Sequence, residues 1–167
     1  SALVIPFAEM SYNWYGEKEI SAMLFGENGQ GDAGIALETI RFADEVAFIL
    51  LKAISFHNRN EPKDAADLIH VMRYAGTLEE IAEKFLHRMK SGVHQKAIET
   101  GLNALQICFA EGNGDIQGYM LTGPVRYGQF MHGNDVTVAN ERLQDQRFAA
   151  GLVTELLRLI REMSADT

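Results

Sequence analysis

The sequence has one cysteine, Cys108, three prolines and one tryptophan among 167 residues. A single cysteine excludes an intrachain disulfide framework and fits a reducing compartment. No apolar run approaches the roughly 20 residues that a membrane-spanning helix needs, and the start SALVIPFAEM lacks the basic flank of a signal peptide. The expectation is a soluble, cytoplasmic protein with no membrane partner. Cations are also scarce: 15 Lys and Arg stand against 23 Asp and Glu, for a formal net charge of -8. Broad nucleic-acid attachment comes mainly from clustered cations on phosphates, so this balance argues against it and leaves only a local basic pocket. The five histidines, His57, His70, His87, His94 and His132, show no zinc-site spacing among themselves or with Cys108. No G-x-S-x-G turn is present to activate a serine nucleophile.

What is present is enough apolar material for a core, since 47% of the residues are hydrophobic. The pattern predicts an α+β fold. A small antiparallel or mixed sheet portion over about residues 3–42 is followed by a mainly α-helical bundle. Strand candidates are Leu3–Phe7, Ile20–Phe25 and Leu37–Phe42, separated by Gly- and Asn-rich turns. Helices are expected over Asp44–Asn58, Pro62–Ala75, Thr77 to about Lys90, Val93–Ala110 and about Asn140–Met163. Pro62 stands where a first helical turn tolerates proline, and Thr77 with Glu80 forms a capping-box pattern. Between Glu111 and Asn140 six glycines and Pro124 leave no clear period, which reads as a connector, either functional or mobile. Two regions follow, residues 1–76 and residues 77–167. The strand LVIPF lies so close to Ser1 that the chain reads as a piece of something longer.

Two other strings carry less than they first offer. GQGDAG, Gly29–Gly34, matches G-x-G-x-x-G literally, but IALETIRF after it reads as a strand where a dinucleotide site needs a helix N-terminus. A turn is the better reading. YNWY, with Trp14 and Tyr15, could stack a base, although packing accounts for it more simply. Cys108, inside ALQICFA, reads as a buried inert thiol.

The richest stretch is the helical hairpin. In DEVAFILLKAISFHNR, Lys52, Ser55 and Arg59 are spaced i, i+3 and i+7, which puts them on one narrow polar arc of an otherwise apolar helix. A cation placed there needs an anion, because an unpaired buried charge costs several kcal/mol. That anion can be a carboxylate of the protein or a phosphate of a ligand. On the next helix Asp64 and Asp67 share a face, with Asp64 nearer the apolar stripe and Asp67 and Lys63 farther toward solvent. The plain reading is that these acids complement the helix dipole and that Lys52 pairs with Asp64 across the hairpin.

LLKAISFHNRNEPKDAADL also resembles the lysine-bearing helix and following K-D-x-x-D-L helix of the AbiEii-like nucleotidyltransferases, a group of the DNA polymerase beta-like superfamily that includes toxins of toxin-antitoxin pairs. The likeness covers about Leu3–Gly76, and the rest would be a variable helical region. It implies that Lys52 contacts nucleotide phosphates, with Arg59, Lys63 and Asp67 as further substrate-binding residues and Asp64 as the catalytic group organising the site. It implies Mg²⁺ as cofactor and a nucleoside triphosphate as ligand. The sequence departs from that pattern in a specific way. It has no Gly-Ser turn, no Asp-x-Asp or Asp-x-Glu pair before Asp44, and apolar Leu3 and Val4 where relatives carry an acid before IPF. No metal ligand is assigned within the chain, and Mg²⁺ would be held mainly by residues outside it. The expectation is part of a nucleotidyltransferase, catalytic if the other half lies elsewhere. The rival expectation is a non-catalytic module that binds a protein partner or a copy of itself.

Overall fold

The computed structural model describes residues 5–25, 32–110 and 117–165. The fold is α+β. A short helix α1, Met10–Asn13, leads into an antiparallel ribbon of β1, Tyr15–Phe25, and β2, Asp32–Ala43. The helices that follow are α2, Glu45–Arg59; α3, Pro62–Tyr74; α4, Leu78–Lys90; α5, Gln95–Leu105; α6, Thr122–His132; and α7, Ala139–Ala165. A π-helical turn, Gln106–Ala110, extends α5, and single 3₁₀ turns, Gly118–Met120 and Val136–Val138, precede α6 and α7.

The helix starts follow the chemistry of their first residues. Asp44 caps α2 by accepting from the Ala47 amide at 2.9 Å, and its other oxygen receives Arg88 of α4 at 2.7 Å. Thr77 and Glu80 form a complete capping box on α4, with reciprocal hydrogen bonds of 3.2 and 2.8 Å. Between α2 and α3 the chain reverses at Asn60, whose left-handed backbone, φ 55°, is one that asparagine tolerates better than most residues.

α2 lies between α3 and α5, while α7 packs on α4 and α6, and α6 also reaches α3. One buried cluster joins Leu50 and Phe56 of α2 with Leu68 and Ile69 of α3, Phe85 of α4, Leu105 of α5 and Leu156 of α7. The segments on either side of Gly76 therefore share a core.

Two expectations need correction. Leu3 and Val4 of the first strand candidate lie outside the described residues, and Ile5–Phe7 is a turn, not a strand. Pro6 fixes its φ at the first central position, Phe7 takes φ 62° at the second, and the Ala8 amide closes the turn on the Ile5 carbonyl at 3.3 Å. The Gly-rich segment is not structureless either, because it contains α6. Two of its glycines, Gly123 and Gly128, are packing devices. A Cβ at Gly123 would lie 2.5 Å from the Phe109 ring, and one at Gly128 would lie 2.9 Å from both Arg142 and Gln146. Glycine thus lets α6 approach its neighbours closely, and Pro124 falls in the first turn, where a missing N–H is harmless.

The ribbon stands apart from this core. Gly29–Gly31 lie outside the described residues. Asp32–Gly34 begin β2, which pairs back on β1 from Phe25 and Asp32 to Tyr15 and Ala43. The segment after the glycines is the strand that the turn reading requires. Met23, Ile35 and Leu37 are largely exposed on one face of the ribbon, and Phe42, Ile40 and Ile20 are partly exposed on the other.

Candidate functional site

The five charged residues singled out from the hairpin, Lys52, Arg59, Lys63, Asp64 and Asp67, converge. Arg59 donates to both oxygens of Asp64, from Nε at 2.7 Å and from Nη2 at 2.9 Å. Lys52 donates to Asp64 Oδ1 at 3.1 Å and to Asp67 Oδ2 at 2.7 Å. Lys63 closes the chain of pairs on Asp67 Oδ2 at 2.8 Å. The local reason is helical spacing. Residues 52 and 59 are seven apart on α2 and residues 64 and 67 three apart on α3, so both pairs project into the cleft of one tight hairpin.

Burial grades the cluster. Asp64 is 2% exposed, Lys52 23% and Arg59 40%, while Lys63 stands mostly in solvent. Asp64 is therefore enclosed, with one oxygen receiving Arg59 and Lys52 and the other receiving Arg59. As arranged, both of its oxygens accept from cations of the chain itself. Lys52 pairs with Asp64 across the hairpin as expected, and it makes a second, shorter contact with Asp67. Arg59, not Lys52, supplies the two-point partner of Asp64.

The electrostatics agree with this geometry. For Lys52 the largest single influence is burial, which disfavours the ammonium, yet hydrogen bonds and charge from Asp67 and Asp64 outweigh it and raise the pKa above 10.5. Asp67 is the mirror case. Burial pushes its carboxyl up most strongly, and Lys52 and Lys63 together bring it below 3.8. The hydrogen bond to Asp64, with its charge, raises Arg59 above its ordinary value.

With three cations against two carboxylates, the cluster keeps a positive excess, and part of it opens outward. Lys52, Ser55 and Arg59 line a groove of about 380 Å³ together with Phe48 and Leu51 of α2. The facing wall is Ile5 and Ala8, the two ends of the turn that replaces the expected strand, with Ser11 of α1. That expectation hid the wall, because a strand through Pro6 would have carried these residues elsewhere. The Phe48 ring centroid lies 5.6 Å from Lys52 Nζ, adding a cation–π contact at the groove floor.

Mg²⁺ does not suit this cluster. Both carboxylates are already neutralised by cations that would repel a divalent ion, and no group of three or more His, Cys, Asp or Glu able to hold a metal occurs among the described residues. The remaining sequence candidates behave more simply. Cys108 is 6% exposed, with Sγ 3.5 Å from His57 Nδ1, and burial pushes its thiol up, partly opposed by a hydrogen bond with Thr122. Trp14 is buried, edge-on to His94 and beneath Arg88, so it packs and is not free to stack a base. No helix among the described residues is long and apolar enough to cross a membrane. Comparison of the chain with protein-family models, with curated proteins and with solved structures finds no match.

Proposed function

We propose that this chain supplies the phosphate-holding wall of an AbiEii-like nucleotidyltransferase, with a nucleoside triphosphate as ligand. The observation that carries the reading is that Lys52 and Arg59, both fixed by buried Asp64, face one groove while retaining donors of their own. A fixed cation pair costs little further ordering when an anion arrives, which is the condition for tight phosphate binding. The sequence lacks the paired carboxylates that nucleotidyl transfer requires, so the part assigned here is binding and orientation. Mg²⁺ would come with the triphosphate and not from these side chains. Isothermal titration with Mg-NTP tests the reading. Lys52→Ala should weaken binding about tenfold or more, since a hydrogen bond to a charged group contributes about 1.5–3 kcal/mol. Equal affinity in the two proteins overturns it.

A second reading has its own observation. The β1–β2 ribbon exposes apolar side chains on both faces, and a two-stranded ribbon alone is marginal in water. A protein partner, or a second copy, would cover it. In that case size-exclusion chromatography shows a larger species, Mg-NTP leaves the melting point unchanged, and Leu37→Ser with Ile35→Ser restores the monomer.

A further inference from the structure

We infer that Ser55 is a direct phosphate-contacting residue of the groove, completing a three-donor arc with Lys52 and Arg59. The inference rests on the phosphate-binding reading above and deepens it. Ser55 occupies an unusual position for a hydroxyl. It sits in the interior of α2, flanked by Ile54 and Phe56, and is 9% exposed. A hydroxyl in a helix interior commonly bonds back to the carbonyl four residues earlier or finds another partner in the protein. Among the described residues Ser55 Oγ has no hydrogen-bond partner, and since no fully enclosed side-chain nitrogen or oxygen there lacks one, this oxygen is open to the solvent of the groove. Ser55 lines the same groove as Lys52 and Arg59.

Donor arithmetic supports the same assignment. An ammonium carries three N–H donors and a guanidinium five. Lys52 uses its contacts to Asp64 and Asp67, which leaves one donor; Arg59 gives two to Asp64, which leaves three. An anion in the groove can therefore accept from Lys52, Ser55 and Arg59 without breaking any ion pair of the cluster. Their spacing along one helical face, i, i+3 and i+7, sets the donors in a row about 10 Å long, at 1.5 Å of rise per residue. A row of that length suits a linear polyphosphate better than a single phosphate. Lys63 lies outside this row, mostly in solvent and not among the residues lining the groove.

The chemical class is thus a linear polyphosphate anion, either free or as the tail of a nucleotide. The experiment is calorimetric titration of the full chain with inorganic phosphate, tripolyphosphate and Mg-ATP, for wild type, Ser55→Ala and Ser55→Thr. Alanine at a helix interior keeps the fold, which melting curves confirm. Wild type should bind tripolyphosphate or Mg-ATP at least tenfold more tightly than phosphate. Ser55→Ala should lose about tenfold, equivalent to about 1.4 kcal/mol, and Ser55→Thr, which retains the hydroxyl, should recover most of that loss. Similar affinities for tripolyphosphate and Mg-ATP identify the polyphosphate itself as the recognised group; a preference for Mg-ATP identifies the nucleotide. If wild type binds a polyphosphate and Ser55→Ala binds it equally well, the role of Ser55 falls and the phosphate-binding reading stands. If wild type binds none of the three, both fall.

Discussion

Arg59 holds Asp64 at two points, Nε on Oδ2 and Nη2 on Oδ1, across the tight turn that joins α2 to α3. A planar guanidinium matches a carboxylate in this way and a lysine would not, so the contact fixes orientation as well as distance. Its consequence is that the most buried charge of the hairpin is satisfied from within the chain, leaving Lys52 and the outer donors of Arg59 directed at the groove.

Removing the buried acid should be costly. Asp64→Ala leaves Arg59 without its carboxylate and Lys52 with Asp67 alone, and breaking one side of a buried ion pair typically costs about 3–5 kcal/mol. Since Arg59 is 40% exposed and can turn to water, the lower end applies, about 3 kcal/mol. Urea unfolding of the variant against wild type measures it. A difference under about 0.5 kcal/mol would show that the clamp is not structural.

The pH dependence follows from the two shifted groups. Asp67 titrates below 3.8 in the folded protein, because Lys52 and Lys63 overcome the effect of burial. A depressed carboxyl stabilises the fold above its unfolded value, and that contribution disappears as pH falls through the folded value. Lys52 is raised above 10.5, so its contribution is complete below 10.5 and disappears as pH rises through the folded value. The stability difference between wild type and Asp67→Asn should therefore stay constant over about pH 5–9 and shrink toward zero in acid. Denaturant melts at stepped pH check this, and a difference that persists unchanged at acid pH contradicts it.

Two glycines should respond to alanine in opposite directions. At Gly101 of α5 a Cβ would lie 2.4 Å from Leu50 Cδ2 and 3.2 Å from Leu50 Cα, so the α2–α5 contact has no room for it. Overpacking of this kind costs about 1–3 kcal/mol and exceeds the gain in helix propensity. At Gly151 of α7 nothing lies within 4 Å, and the same substitution should stabilise by about 0.5–1 kcal/mol. Thermal melts of Gly101→Ala and Gly151→Ala, run side by side, compare the signs directly.

Cys108 should be slow to react in the native state. Burial raises its pKa and encloses its sulfur, so the thiolate that attacks reagents is scarce and shielded. A colorimetric thiol assay at neutral pH should show little reaction until denaturant is added. Immediate native reaction would place the sulfur in contact with solvent.

Much of the helical architecture was legible because its signals are local. Asp44, Pro62 and Thr77 with Glu80 mark three helix starts to within a residue, since capping depends on side chains only three positions away. The arc of Lys52, Ser55 and Arg59 was legible for the same reason. α6 was not, because glycines that weaken a helix in isolation are required here by the Phe109 ring and by Arg142 and Gln146, all distant in sequence. Nor was the turn at Pro6, whose apolar neighbours read equally well as a strand.

The sequence by itself determined that one helix carries a polar arc and that the next begins with two acids on one face, because 3.6 residues per turn is a property of the backbone. Only the tertiary structure decided which cation meets which acid. The rotation and approach of α2 and α3 are set by packing of Leu50, Phe56, Leu68 and Ile69 in a shared core, and a hydrogen bond changes partner over less than an ångström. That packing gave Asp64 to Arg59, divided Lys52 between Asp64 and Asp67, and set Ile5, Ala8 and Ser11 across the groove.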